Sequence, residues 1–324
     1  EPQPPAVPVS ELLDVVELTV DAPAGSVAAQ VVREHALQAF SPTNFHAGDP
    51  WSGDLRLLEG ARHLVGERVE PPAFFEGELP DQELPWVELD TLVAFFDHPA
   101  RFLLRRGLDI RLGDDLDKVL DREPVELVGL EHFDLGLAVL QRLEQGGTVE
   151  QARAAARARG ELPLGSLGDV QLDEIAGDAL AIHQLASRYR KGPPTRVDVD
   201  VALPGVRVVG SVAGVHGTCR VESQFRRVAA KHQLGAWIRH LGLCAALDGQ
   251  AHRTELVGRS AKAGDRRPAR TSYQPVPPEL AREHLARLVA LFRAGQAAPV
   301  PFLPKASLAA AQVLAKRWGK PWQA

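Results

Sequence analysis

The stretch RVVGSVAGVHGTCRVE (residues 207–222) has the valine alternation and turn glycines of a hairpin that in a metal-dependent hydrolase would carry carboxylates. Mg²⁺-assisted cleavage of a phosphodiester needs hard oxygen ligands converging on one sheet edge. The usual supply is an Asp near the end of one strand and an acid-x-Lys on the next. Here Gly210-Ser211-Val212-Ala213-Gly214 puts Ala213 where the acid would stand. Between Val201 and Leu247 the one acid is Glu222, and Gln224 rather than Lys follows two positions later. Asp198 and Asp200 alternate onto one face of the preceding strand, as solvated strand polars also do. One carboxylate does not hold a hard divalent ion, so a degenerate site is expected near Ala213 and Glu222, with no catalytic residue and no metal. The alternative is a genuine metal nuclease using Asp198, Asp200 or Glu222 in a permuted site.

Other chemistries lack their residues. No G-x-x-x-x-G-K-[ST] phosphate cradle and no G-x-S-x-G nucleophile elbow occur. Two cysteines, Cys219 and Cys244, are too few for a Cys₄ metal or iron–sulfur site. They are expected as reduced core residues of a cytoplasmic protein. The eleven histidines are scattered rather than set at ligand spacing, and no cofactor is expected. No run of 18 apolar residues suggests a membrane span. The start, EPQPPAVPVS, lacks the basic and apolar regions of a signal peptide and reads as the cut end of a longer chain.

Charge is the informative bulk property. Residues 1–180 carry 14 Lys and Arg against 34 Asp and Glu, and residues 181–324 carry 23 against 8, so a net −5 hides halves of −20 and +15. That asymmetry suggests a polyanion partner for the second half, or the packing of one half on the other. Arg266, Arg267 and Arg270 in AGDRRPARTSY, which reads as a loop, with Tyr273 nearby, are candidates for contacting a single DNA strand. Arg101, Arg105 and Arg106 lie near one helix face and form a second candidate cluster. For both clusters the alternatives are a solvated surface or a partner contact.

These residues need elements to position them. Residues 46–85, rich in Gly, Pro and acids, read as an irregular linker. Leu89, Leu92, Val93 and Phe96 are at helical spacing; Pro99 opens another helix and Gly107 closes it. LDIRL (108–112) alternates like a strand. Helices are predicted over 130–145, from a Thr148/Gln151 capping box to Arg159, and over 169–190. Strands are predicted in TRVDVDVAL, VRVVGSVA and GTCRVES, then a helix over 228–247 whose core face is Trp237, Ile238 and Leu241, and a strand in TELVGRS. Helix 279–294 and a last helix follow. The layout is α/β, with a mostly antiparallel sheet between groups of helices.

ALQAFSPTNF, LDTLVAFFDHPARFLLRRGLDIRL, DREPVEL, GELPLGSLG and AAPVPFLPKAS, in this order, resemble the C-terminal third of the RecC family, the gamma chains of bacterial exodeoxyribonuclease V. The resemblance implies a restriction-endonuclease-like (PD-(D/E)XK-type) core that has lost its metal site. It implies three parts: residues 1–45 ending an inactivated helicase-like module, a linker over 46–85, and a nuclease-like domain over 86–324. In active relatives the strand motif is G-x-x-D-R, and a CP-x-x-F-L motif can supply a cluster-binding Cys; His98-Pro99 stands there in this chain. The implied role is non-catalytic: handling duplex ends and single-stranded DNA, and holding RecB-like and RecD-like subunits. A purely protein-binding module is the remaining alternative.

Overall fold

Period-two alternation from Thr195 onward builds most of the sheet on which the helices of residues 77–324 pack. The computed structural model describes residues 6–20, 26–33, 35–45, 52–68, 70, 77–80, 84–111, 126, 127, 129–247, 249–262 and 264–318. The chain divides into two compact units, Glu1–Glu76 and Gly77–Ala324. The first unit contains helices α1 (Val7–Thr19), α2 (Val27–Val31) and α3 (Leu55–Val65). Asp54 caps α3 by accepting from the N–H groups of Arg56 and Leu57 at 2.9 and 3.2 Å. The helix falls inside the stretch expected to be irregular, because its short apolar run is flanked by Gly- and acid-rich sequence. In the ALQAFSPTNF segment, buried Asn44 donates to the carbonyls of Gln38 and Ala39 and closes the turn.

The second unit opens with β1 (Trp86–Glu88), α4 (Leu89–Asp97) and α5 (Pro99–Phe102). Helices α6 (Gly129–Glu144), α7 (Val149–Ala158) and α8 (Gly165–Ser187) follow, α7 carrying the expected Thr148/Gln151 capping box. Then come β2 (Thr195–Leu203), β3 (Val206–His216), β4 (Cys219–Arg227), α9 (Ala230–Ala246), β5 (Arg253–Arg259), β6 (Pro268–Tyr273), α10 (Pro278–Ala297) and α11 (Pro304–Trp318). LDIRL is not a strand over 108–111. The Ile110 N–H bonds back to the Leu104 carbonyl and Asp109 takes a positive φ of 51°, so this segment turns; Leu112 lies outside the described residues. The AGDRRPARTSY segment ends in strand β6 instead of a loop. Pro268 opens it, and an edge strand tolerates such a residue.

The sheet is mixed. Antiparallel pairs are β2–β3, β3–β4 and β5–β6; parallel pairs are β1–β3 and β4–β5, the latter joined over the sheet by α9. Strand β2 takes one edge of β3. On the other edge β1 pairs with residues 207–209 and β4 with 215–216. Between them Gly210, at φ 154°, lets the backbone lie against Leu89; a methyl group there would stand 3.0 Å from the Leu89 Cβ.

One sheet face packs on α4, α9 and α10 through Val199, Val201, Val208, Val212, Ile238, Leu241 and Leu285. Phe95 meets Phe96, Phe102 and Phe292 edge-to-face at 5.0–5.5 Å, clamping α4 and α5 to α10. The other face of β4 and β5 packs on α6, α7 and α8 through Val221, Phe225 and Val257. On β2 that face carries exposed Arg196, Asp198 and Asp200, and on β3 exposed Arg207 and Ala213.

Trp237 is half-buried, whereas Ile238 and Leu241 are fully buried. Trp237 stacks on His240, 5.4 Å between ring centroids, and so covers a polar network under α9. His240, fully buried, donates through Nε2 to the Gln274 carbonyl at 2.9 Å and accepts through Nδ1 from Thr254 Oγ1 at 3.0 Å. Burial lowers its pKa to about 4 despite the Gln274 hydrogen bond.

Two outcomes follow from this packing. A methyl at Gly136 would sit 1.9 Å from the Phe225 ring, so Gly136→Ala should lower stability by about 1–3 kcal/mol in a denaturant melt. His240 is harder to protonate folded than unfolded, so its contribution is full above pH 6.5 and is lost as pH falls towards 4, on the order of 3 kcal/mol. Stability measured across that window should fall more steeply in the native chain than in His240→Gln, which starts lower but titrates less.

Candidate nucleic-acid interface

The arginines of α5 and its continuation line an open groove. Leu103–Gly107 continues α5 as a π-helical turn, in which the Leu108 N–H reaches the Leu103 carbonyl at 3.1 Å. Arg101, Arg105 and Arg106 all line the groove. The turn holds because Leu103 is buried and Phe102 belongs to the aromatic clamp. His98 caps α5, its Nδ1 accepting from the Arg101 N–H at 3.1 Å.

Across the groove stand Arg226, at the end of β4, and Arg239, on α9. The space is about 710 Å³, and Asp90, Asp97 and His98 also line it. Both acids are engaged: Arg239 reaches Asp90 at 2.9 Å, and Lys231 reaches Asp97 at 3.1 Å. Arg226 lies over the Phe133 ring at 4.8 Å. Among the described residues Arg101 and Arg106 have no acidic partner. Guanidinium groups stay charged at any working pH and bind phosphate in a fork. Such a groove can take phosphate groups.

The structure brings Arg101, Arg105 and Arg106 together, as their spacing suggested. Sequence reasoning missed Arg226 and Arg239. A usable signal was present: Lys231 and Arg239 lie two helical steps of four apart on the polar side of α9. The other cluster is differently placed. Arg266 bonds Asp178 at 3.0 Å and the Glu174 carbonyl at 2.7 Å. Arg267 is tied to Asp265 at 3.0 Å. Arg270 donates to the Tyr189 hydroxyl and lies 3.6 Å from buried Glu255. Tyr273, three residues along the same strand, turns to the opposite face, where its hydroxyl donates to the Gln233 carbonyl at 2.7 Å. Burial raises its pKa, and its ring packs beside Trp237 and His240. Arg270 and Tyr273 therefore do not form one binding surface.

Where a degenerate metal site was expected, Ala213 is exposed on β3. Glu222 is bonded at 2.5 Å to Arg220, whose side chain is only 6 % exposed. Asp200 forms a two-pronged pair with Arg207, and Asp198 lies on the same solvent-facing side of β2. Among the described residues no group of three His, Cys, Asp or Glu is placed to hold a metal ion. Cys219 and Cys244 are free and buried, and burial raises both thiol pKa values.

A family model described as the RecC C-terminal domain matches residues 85–315. The chain belongs to the RecC family. The RecBCD enzyme subunit RecC of Mycobacterium tuberculosis (strain ATCC 25618 / H37Rv) is 34 % identical over 318 residues, covering 96 % of this chain and 28 % of that protein. RecC of Mycolicibacterium smegmatis is 32 % identical over 316 residues, with the same coverage of both. RecC of Escherichia coli (strain K12) is 27 % identical over 323 residues, covering 93 % of this chain and 26 % of that protein. The chain thus spans little more than a quarter of the length of these RecC proteins. No helix among the described residues is long and apolar enough to cross a membrane.

RecC membership and the Arg220–Glu222 pair generate a direct test. A structural Glu222 neutralises a buried cation, so Glu222→Ala strands Arg220 and should destabilise the fold. The expected loss is towards the lower end of about 3–5 kcal/mol, because Glu222 keeps 27 % of its side chain exposed. A carboxylate reserved for metal would be neutral or stabilising to remove, and the melting temperature separates the two.

Proposed function

We propose that this chain is the C-terminal portion of a RecC subunit that handles DNA in a RecBCD-type helicase–nuclease without cleaving it. In this reading it works in the cytoplasm during recombinational repair of double-strand breaks. It holds RecB-like and RecD-like subunits and guides single-stranded DNA from a duplex end. Residues 1–45 end an inactivated helicase-like module, 46–85 link, and 86–324 form the nuclease-like domain. The observation that carries the DNA role is the arginine groove, whose two acids are already engaged while Arg101 and Arg106 are left to face solvent.

The restriction-endonuclease-like assignment is supported by the order α8–β2–β3–β4–α9–β5, with the first three strands antiparallel and the last pair parallel. In an active enzyme of that layout the acids stand where β3 and β4 part company. Here β1 and Leu89 enter beside β3, Ala213 is apolar, and Glu222 is consumed by Arg220. The proposal therefore includes no active site of its own and no cofactor.

Titration of labelled single-stranded and forked DNA at several salt concentrations tests the reading. Each phosphate contact releases counterions, giving a log–log slope of about −0.7 per contact on single strands. Reversing Arg101, Arg106 and Arg226 to Glu should flatten the slope by about 2, whereas reversing Arg266 and Arg267 should leave it nearly unchanged. No DNA should be degraded with Mg²⁺ or Mn²⁺, and Ala213→Asp should not restore cleavage. Absence of binding at low salt by the folded chain would leave only the protein-holding role.

A further inference from the structure

Beside the arginine groove lies a second, more enclosed cavity of about 290 Å³, and the two share Thr91, Phe102 and Arg106. Its walls include Trp86, Phe102 and Phe292, and its polar side chains are Glu88, Thr91, Arg106 and Gln296. Val87, at 3 % exposure, lines it from the core side, and strand alternation sets Trp86 and Glu88 together on the other side of β1. Trp86 is 58 % exposed, although tryptophan is ordinarily among the well-buried side chains. Its indole makes no ring contact among the described residues.

We infer that this cavity receives one nucleobase of a single strand whose phosphates lie in the groove, an inference that rests on the groove's holding nucleic acid. The size is at the lower limit of small-ligand cavities, about 300 Å³, and suits one ring system instead of a stacked strand. Trp86 supplies the face on which a base stacks, and Arg106, common to both cavities, meets the adjoining phosphate. Glu88 can only accept hydrogen bonds when ionised, so it favours a base with an exocyclic amino group, such as cytosine, over thymine. A base in a duplex is stacked and paired, so the site selects single strands.

The test uses the 324-residue chain and three labelled oligomers of equal length: oligo(dC), oligo(dT) and a fully abasic strand. The abasic strand should bind at least about 5-fold more weakly than oligo(dC), the lower bound for stacking one base. Trp86→Ala should bring oligo(dC) to the abasic level while leaving the salt slope unchanged, and Trp86→Phe should restore most of the difference. Glu88→Gln should remove the preference for oligo(dC) over oligo(dT) and nothing else. Salt-dependent binding that ignores the bases and the Trp86 variants would refute the base pocket while sparing the groove, returning the cavity to a partner protein's side chain. Failure of every oligomer to bind at low salt would overturn both readings.

Discussion

A β-strand has two hydrogen-bonding edges, and three strands claim those of β3. Strand β2 takes one edge for most of its length, so β1 and β4 must divide the other, β1 along residues 207–209 and β4 at 215–216. The unpaired stretch between them is where Gly210 admits Leu89. That contact fixes the start of α4, and through the Phe95 clamp it fixes α5, the π-helical turn and its arginines. The placing of the arginine groove is a consequence of that one packing event.

Charge is distributed according to burial. Arginines at the β5–β6 end of the sheet are held by acids or aromatic rings of α8 and the segment after it: Arg259 and Arg266 by Asp178, and Arg253 and Arg270 over Tyr189. They attach the helical layer to the sheet. Such pairs leave little field for a ligand, because each positive charge is opposed within a few ångströms. On the other side of the sheet the acids of α4 are fewer than the arginines around them, so positive potential survives at the groove. The +15 balance of residues 181–324 overstates what that half can offer, since Arg190, Lys231, Arg239, Arg259 and Arg266 pair with acids of residues 1–180 and others pair with acids of their own half.

Beneath α9 the polar network around His240 has the opposite logic. Thr254, Gln274 and His240 satisfy one another in a space sealed by Trp237 and Tyr273. Its members are neutral at ordinary pH because desolvation disfavours charge. It orients α9 on β5 and β6, and so holds Arg239 on the groove side of the helix.

Much of this was legible from local pattern. Val197 to Val201 alternate with Arg196, Asp198 and Asp200, and that period of two fixed β2 with its charged face outward. The capping box set the start of α7 to the residue. The missing acid at 213 and the missing lysine at 224 could be read without coordinates, because they are matters of residue type. What local pattern could not supply was pairing between distant segments. Trp86–Glu88 is too short for a periodic signal and becomes a strand only because β3 leaves it an edge. Pro268–Tyr273 looked like a loop because its polar residues gain their ladder from β5. The arginine tally named Arg266, Arg267 and Arg270 as readily as Arg101, Arg105 and Arg106, since a sequence counts charges but not the acids that fold against them. Asp178 lies 88 residues from Arg266 and Asp90 lies 149 from Arg239. Which cations are neutralised and which are left to bind is a property of three-dimensional proximity, and proximity across such separations is set by packing of the core.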